Sequence, residues 1–353
     1  MGAANEGMQY FHLAGWVCAL GLLAGCAHAP AKLPNTTRAD FLKIVDRPRV
    51  PLAAESQVET NVNGLEVEHF TFAADGQQRV PGVLVKAENS TGRRPVVIVL
   101  HGTGGNKESV MPWLRELAKR GFVAVAIDGR YHGARVKAGK GTEEYDAAIV
   151  QAWHDGKEHP FFYDTVWDVM RLLDYLKTRR DVDGARIGLT GISKGGVETY
   201  LAAAMDPRIA TAAPCIGMQS FDWALENNDW QGRIGTIQPA FDEIAKEAGV
   251  EKPDSVFVEK FYDRVVPGIY SEFDGPMLMK KIAPRPLLMV NSDTDPHTPL
   301  PGVMVCVTAA QEAYGEAGVP EHFAVRIQQN TGHKVLPESE AAVMDWFVRW
   351  LRP

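Results

Sequence analysis

The pentapeptide Gly191-Ile192-Ser193-Lys194-Gly195 stands between an apolar run, Ile187 to Leu189, and a stretch that reads as helix from Gly195 to Met205. A serine with glycine two positions before and two after it, at a strand-to-helix junction, constrains this chain more than any other feature. Such a turn is tight, its neighbouring backbones approach closely only where a Cβ is missing, and it aims the hydroxyl outward. Ser193 is therefore a candidate nucleophile. The plain alternative is a glycine-rich turn whose serine caps the helix that follows, and it demands nothing of the rest of the chain. The nucleophile reading does, because a serine hydroxyl needs an adjacent base, a group to orient that base, and donors for the oxyanion.

Those partners have candidates. His333, in Asn330-Thr331-Gly332-His333, follows the apolar stretch Phe323 to Ile327 and precedes the last helix, which suits a base held in a loop at the carboxyl edge of a sheet. The acid belongs between serine and histidine in chain order, and Asn291-Ser292-Asp293-Thr294-Asp295-Pro296 offers two carboxylates after the strand Pro286 to Asn291. Asp295 lies deeper in that loop and is the preferred acid; Asp293 is the reserve, placed to hold the turn by a side-chain to backbone hydrogen bond. His101-Gly102-Thr103-Gly104-Gly105 follows the strand ending at Leu100, and its glycines let backbone N–H groups converge. The N–H groups of Thr103 and Lys194 are the candidate oxyanion hole, with a plain glycine turn as the alternative.

Phosphate-loop readings of that segment fail. Lys107 is preceded by Asn106 and followed by Glu108, unlike a Walker loop, so no nucleotide cofactor is expected. His132, His154 and His159 have irregular spacing, and neither H-E-x-x-H nor paired C-x-x-C occurs, so no metal is expected. Asp128 opens Asp128-Gly129-Arg130-Tyr131-His132-Gly133 and reads as a turn-fixing residue rather than a proton carrier.

Around these motifs the chain alternates. Val67 to Ala73 and Val80 to Lys86 have the period of two of half-buried strands and flank Asp75-Gly76, which predicts a hairpin. Val96 to Leu100 is a continuous apolar run, as in a strand buried on both faces. Helices follow near 108–120, 164–178, 195–205 and 303–314, with strands at 122–127, 186–190, 209–214, 286–291 and 323–327, and a terminal helix that places Val343, Trp346, Phe347 and Trp350 on one face. The expected fold is a doubly wound, mostly parallel α/β sheet in one catalytic domain over residues 55–353. The rhythm breaks at about 218–284, where Phe221, Trp223, Trp230, Phe241, Phe257, Phe261 and Tyr262 mark an inserted helical cap or, equally, an extra packed layer without substrate contact. With 37 Lys and Arg against 44 Asp and Glu, the net charge of −7 excludes a nucleic-acid partner held by bulk charge.

Residues 1–25 read as a signal peptide, because Leu13 to Gly25 is apolar yet too short to span a bilayer comfortably. Leu23-Ala24-Gly25-Cys26 resembles a lipobox, which makes Cys26 the expected lipidation site and residues 26–54 a tether rich in Ala, Pro, Thr and Arg. An exported protein is expected, either secreted or a cell-envelope lipoprotein at the periplasmic or outer-membrane face, touching a membrane only through a lipid on Cys26. The alternative is a buried helix or a plain leader. Cys215 and Cys306 are too few for a disulfide scaffold.

Taken together, HGTGG at 101–105, GISKGG at 191–196, DPHTP at 295–299 and GHKVLPE at 332–338 resemble the α/β-hydrolase superfamily, and within it the dienelactone hydrolase, acetyl xylan esterase and prolyl oligopeptidase-like group. The resemblance runs from about residue 65 to the end. It implies a serine carboxylic-ester hydrolase working through an acyl-enzyme without metal or organic cofactor, on a small-molecule or carbohydrate ester of the short-acyl, acetyl xylan type. Ser193 departs from the cysteine that dienelactone hydrolases use, which argues against that reaction. The segment before the hairpin is too short for the propeller domain of the related peptidases, which favours an esterase. A prolyl oligopeptidase-like peptidase and a non-catalytic envelope lipoprotein are the alternatives.

Overall fold

The computed structural model describes residues 38–353 except 63, 89 and 139–141. The leader at 1–25, Cys26 and the first part of the tether lie outside the described residues. Among the described residues nine strands form one sheet: β1 (Glu55–Val62), β2 (Leu65–Ala73), β3 (Arg79–Ala87), β4 (Arg94–Leu100), β5 (Val123–Ile127), β6 (Val182–Ile192), β7 (Thr211–Cys215), β8 (Leu287–Ser292) and β9 (Phe323–Gln328). Their order is β1-β2-β3-β5-β4-β6-β7-β8-β9. The pairs β1/β2, β2/β3 and β3/β5 are antiparallel and the others parallel.

The hairpin β2–β3 turns where Asp75 accepts the N–H groups of Gln77 and Gln78, each at 2.9 Å. In β4 and β5 alternate residues serve opposite faces of the sheet. Val96, Ile98, Leu100, Val123, Val125 and Ile127 join one apolar cluster, while Val97, Val99, Ala124 and Ala126 join the other. Both faces must therefore be covered, and this is why the run at 96–100 shows no polar alternation.

The helices provide the cover: α1 (Arg38–Val45), α2 (Met111–Lys119), α3 (Glu143–Asp155), α4 (Tyr163–Thr178), α5 (Lys194–Met205), α6 (Phe221–Glu226), α7 (Gln231–Ile234), α8 (Gln238–Glu247), α9 (Ser255–Val265), α10 (Gly275–Ile282), α11 (Leu300–Glu316) and α12 (Pro337–Leu351). Helices α2 and α12 close one face through Trp113, Leu114, Leu117, Val343, Trp346 and Phe347. Helices α4 and α5 lie on the other face and are themselves covered, so Trp167, Tyr163 and Tyr200 are buried completely.

Two expectations change. The tether predicted for residues 26–54 belongs to the packed body from Arg38 onward. In α1, Phe41 and Val45 are buried, with the Phe41 ring 5.0 Å from that of Tyr163 and 5.3 Å from that of Phe273. Beyond α1, Arg47 pairs with Asp164 at 2.5 Å and the Val50 carbonyl accepts from Arg171. The second change concerns the insertion between β7 and β8, α6 to α10. Its Phe221, Trp230, Phe241, Phe257, Phe261 and Tyr262 share one core with the sheet, so it is a packed layer; its Gly235 and Thr236 nevertheless line a cleft that also holds Ser193. No helix among the described residues is long and apolar enough to cross a membrane.

Candidate active site

Ser193 sits between the end of β6 and the start of α5 with φ 58° and ψ −115°, left-handed backbone that a serine rarely adopts. The conformation is imposed by its surroundings. A Cβ on Gly191 would stand 2.3 Å from the Gly195 carbonyl oxygen, and one on Gly195 would stand 2.5 Å from that of Leu100, so both neighbours of the turn must be glycine. The Ser193 N–H is anchored to the Cys215 carbonyl at 2.9 Å. Strain of this kind costs on the order of 1–3 kcal/mol and persists where the fold over-determines it.

His333 reaches Ser193 from the loop between β9 and α12. Its Nε2 is 2.7 Å from Ser193 Oγ, and its Nδ1 is 2.7 Å from Asp295 Oδ2. Asp295 is buried in the loop after β8, where it also accepts from the N–H of His297 at 2.8 Å and from the hydroxyl of Thr298 at 2.9 Å. Burial pushes its carboxyl upward, but the His333 hydrogen bond and charge, with the two further donors, overcome this and hold it below the usual carboxylate range. An ionised carboxylate only accepts, so the proton on His333 is at Nδ1 and Nε2 is left to accept from the serine.

Asp293 does something else. Its carboxylate accepts the N–H groups of Asn330 at 2.8 Å and Thr331 at 3.0 Å, in the turn that carries His333. Those bonds, that of Thr331 foremost, hold its carboxyl below the usual range as well. The reserve acid is thus a brace for the loop, and Asp295 is the carboxylate on the imidazole.

The two expected oxyanion donors are placed as follows. The Gly102 carbonyl accepts from His101 Nδ1 at 2.8 Å and from the Gly105 N–H at 3.0 Å. Since the peptide is planar and trans, the Thr103 N–H points away from that carbonyl, and Thr103 lines the cleft beside Ser193. Lys194 is the first residue of α5, where N–H groups have no intrahelical acceptor. Its side chain turns inward, pairs with Glu198 and lies over the Tyr145 ring at 5.6 Å. Burial pushes the Glu198 carboxyl up to about 7 in spite of that lysine. His101 accepts the Gly129 N–H at Nε2, 3.0 Å, so its ring is neutral; burial, with the charge of Lys194, pushes its pKa down to about 4. Asp128 accepts from the backbone and ammonium of Lys107 and from the Ala134 N–H, which is the turn-fixing role expected of it.

His297 belongs to the site although no role was assigned to it from the sequence. Its ring stands edge-on to that of His333 at 4.4 Å and its Nδ1 donates to the Gly232 carbonyl. Burial and, less strongly, the nearby charges of His333 and Arg233 lower its pKa. The signal was its place two residues after Asp295 in DPHTP. Ser193, His333, His297, Thr103 and Thr236 border a cleft of about 360 Å³. Cys215 and Cys306 are buried free thiols, and among the described residues no three His, Cys, Asp or Glu are grouped as a metal would need.

A serine–histidine–carboxylate chain at the carboxyl ends of the strands of a doubly wound sheet defines an α/β-hydrolase, a hydrolytic enzyme. The acetyl xylan esterase (AXE1) family matches residues 48–225, half of the chain, and the protein belongs to that family of esterases. Among curated relatives it is 23% identical over 317 residues to YtaP of Bacillus subtilis (strain 168), covering 86% of this chain and 94% of that one. It is 26% identical over 191 residues to 4-O-methyl-glucuronoyl methylesterase 1 of Wolfiporia cocos (strain MD-104), covering 53% of this chain and 45% of that one. The solved acetyl xylan esterase from Paenibacillus sp. R4 superposes with a TM-score of 0.67 at 22% identity, over 91% of this chain and 97% of the other. Acetyl xylan esterase 1 from Thermoanaerobacterium sp. JW/SL YS485 gives 0.65 at 19%, over 89% and 92%. At these identities the likeness to the solved structures is one of fold.

Proposed function

We propose that the protein removes short acyl groups, acetyl foremost, from carbohydrate esters through an acyl-enzyme on Ser193. The observation that carries this reading is the unbroken hydrogen-bond chain Ser193–His333–Asp295 opening into the cleft. Ser193 Oγ attacks the ester carbonyl while His333 Nε2 takes its proton, and Asp295 stabilises the imidazolium and fixes its tautomer. The N–H groups of Thr103 and Lys194 receive the oxyanion. His333 returns the proton to the departing alcohol, and water then repeats the sequence on the acyl-enzyme. The same reading takes residues 1–25 as an export leader and Cys26 as the lipid-bearing residue; palmitate labelling that is lost in Cys26→Ser tests it.

Hydrolysis of nitrophenyl esters from acetyl to octanoyl by the chain without residues 1–26 tests the reaction, beside acetylated xylo-oligosaccharides, methyl glucuronate and an amide analogue. Turnover that falls with acyl length and is lost in Ser193→Ala, by on the order of 10⁴-fold or more, is the expected result. Preference for methyl glucuronate would move the bulky group to the acyl side, as the methylesterase relatives' name suggests. Cleavage of the amide alone would replace the esterase reading with a peptidase.

A further inference from the structure

Arg233, in α7, is buried to 3% exposure, yet among the described residues no carboxylate pairs with it. Its Nε and Nη2 both turn to one neutral acceptor, Gln219 Oε1, at 3.4 and 3.2 Å. A guanidinium keeps its proton in any protein environment, so this is a full positive charge held in the interior with no carboxylate in direct contact. Burial accordingly lowers its pKa, and the groups that act against this are, in order, the phenols of Tyr200 and Tyr262 and the carboxylate of Asp295.

Two of the neighbours are themselves unsatisfied. Gln219 Nε2 is buried without a partner, and its orientation is not free, since Oε1 faces the guanidinium. The Tyr200 hydroxyl is also buried without a partner. Gln219 Nε2 can only donate and the tyrosine hydroxyl can donate, so together with a cation that no carboxylate touches they ask for one acceptor carrying negative charge. Water would answer the hydrogen bonds but leave the charge. The cluster adjoins the catalytic loop: the Gly232 carbonyl, one residue before Arg233, accepts from His297.

We propose that Arg233, the Gln219 amide and the Tyr200 hydroxyl form a site for one small monovalent anion, a halide or a short carboxylate such as acetate, in the wall behind Asp295 and His297. The acetate arm rests on the deacetylation reading, because acetate is then the product; the halide arm does not.

The test titrates the melting temperature of the purified protein with sodium bromide and with sodium acetate, holding ionic strength with gluconate, a much bulkier anion. Crystals grown in bromide supply an anomalous map. A saturable rise in Tm is expected, since a ligand bound only by the folded state stabilises it. Arg233→Met should abolish the rise, and Tyr200→Phe or Gln219→Leu should raise its midpoint by about 10-fold or more, the loss of one hydrogen bond to a charged group. Should Arg233→Met fail to fold, the two neutral variants carry the comparison. A bromide peak on Arg233 supports a general anion site; a response to acetate alone that Arg233→Met, Tyr200→Phe or Gln219→Leu weakens supports the carboxylate form. Absence of a saturable response to either anion, or a response that persists unchanged in all three variants, overturns the proposal. Neither Tm nor the map depends on turnover, so an inactive esterase and an absent anion site remain separable results.

Discussion

Asp293 and Asp295 are two residues apart in one loop and differ in what they hold. Asp295 takes the imidazole; Asp293 takes the backbone of the turn that presents it. Asp295→Asn keeps the shape but offers an amide where Nδ1–H needs an anion, so kcat on nitrophenyl acetate should fall by about 10⁴-fold. Asp293→Ala leaves every reacting group in place and frees the turn, so the loss should be smaller, up to about 10²-fold in kcat from a displaced His333 with KM little changed. Loop depth was enough to rank the two carboxylates in the sequence, and glycine spacing was enough to find Ser193. His297 and Arg233 were not legible, because nothing in local spacing shows which histidine will stand against another ring or which arginine will lose its solvent.

Helix α1 shows where composition misleads. Ala, Pro, Thr and Arg dominate the segment before it; buried Phe41 and Val45 dock it, the Phe41 ring against Tyr163 of α4 and Phe273, with Leu42 and Ile44 packed beside them. An eight-residue helix is too short to persist alone, so no periodicity announced it. Phe41→Ala should lower stability by about 3–5 kcal/mol in urea unfolding while leaving kcat per folded molecule unchanged. Strand β1 was missed for a related reason: ESQVETNV, which among the described residues pairs with β2 alone, shows no alternation of apolar residues. The inner strands were legible because burial on both faces leaves an unbroken apolar run, as in β4.

Across the whole molecule, burial sets two families of groups against each other. The imidazoles of His101, His132, His159 and His297 have lowered pKa values, and the carboxyls of Asp146, Glu198, Asp222, Asp274 and Glu340 have raised ones. Between about pH 6.5 and 4 the unfolded chain takes protons on imidazoles that the folded protein refuses, so acid destabilises. In much of that window the folded protein takes protons on carboxyls that the unfolded chain leaves ionised, so acid stabilises. Near pH 4 the carboxyls that their partners hold low, Glu68, Asp168, Asp181 and Asp295, add to the acid loss, so the urea midpoint should change little down to about pH 5 and fall below it. Burial pushes Asp274 up to about 7, and Asp274→Asn removes one group from the stabilising side. Its stability should then fall with pH relative to the parent, by up to about 1.4 kcal/mol per unit.

The order of the chain adds a last consequence. Ser193 and His333 are 140 positions apart, and the loop bearing the histidine follows β9, which among the described residues pairs with β8 alone. During synthesis, which builds domains from the N-terminal end, the serine turn and most of the sheet exist before the imidazole does. The protein is born without its base and can become competent only after synthesis has passed His333 and β9 has docked.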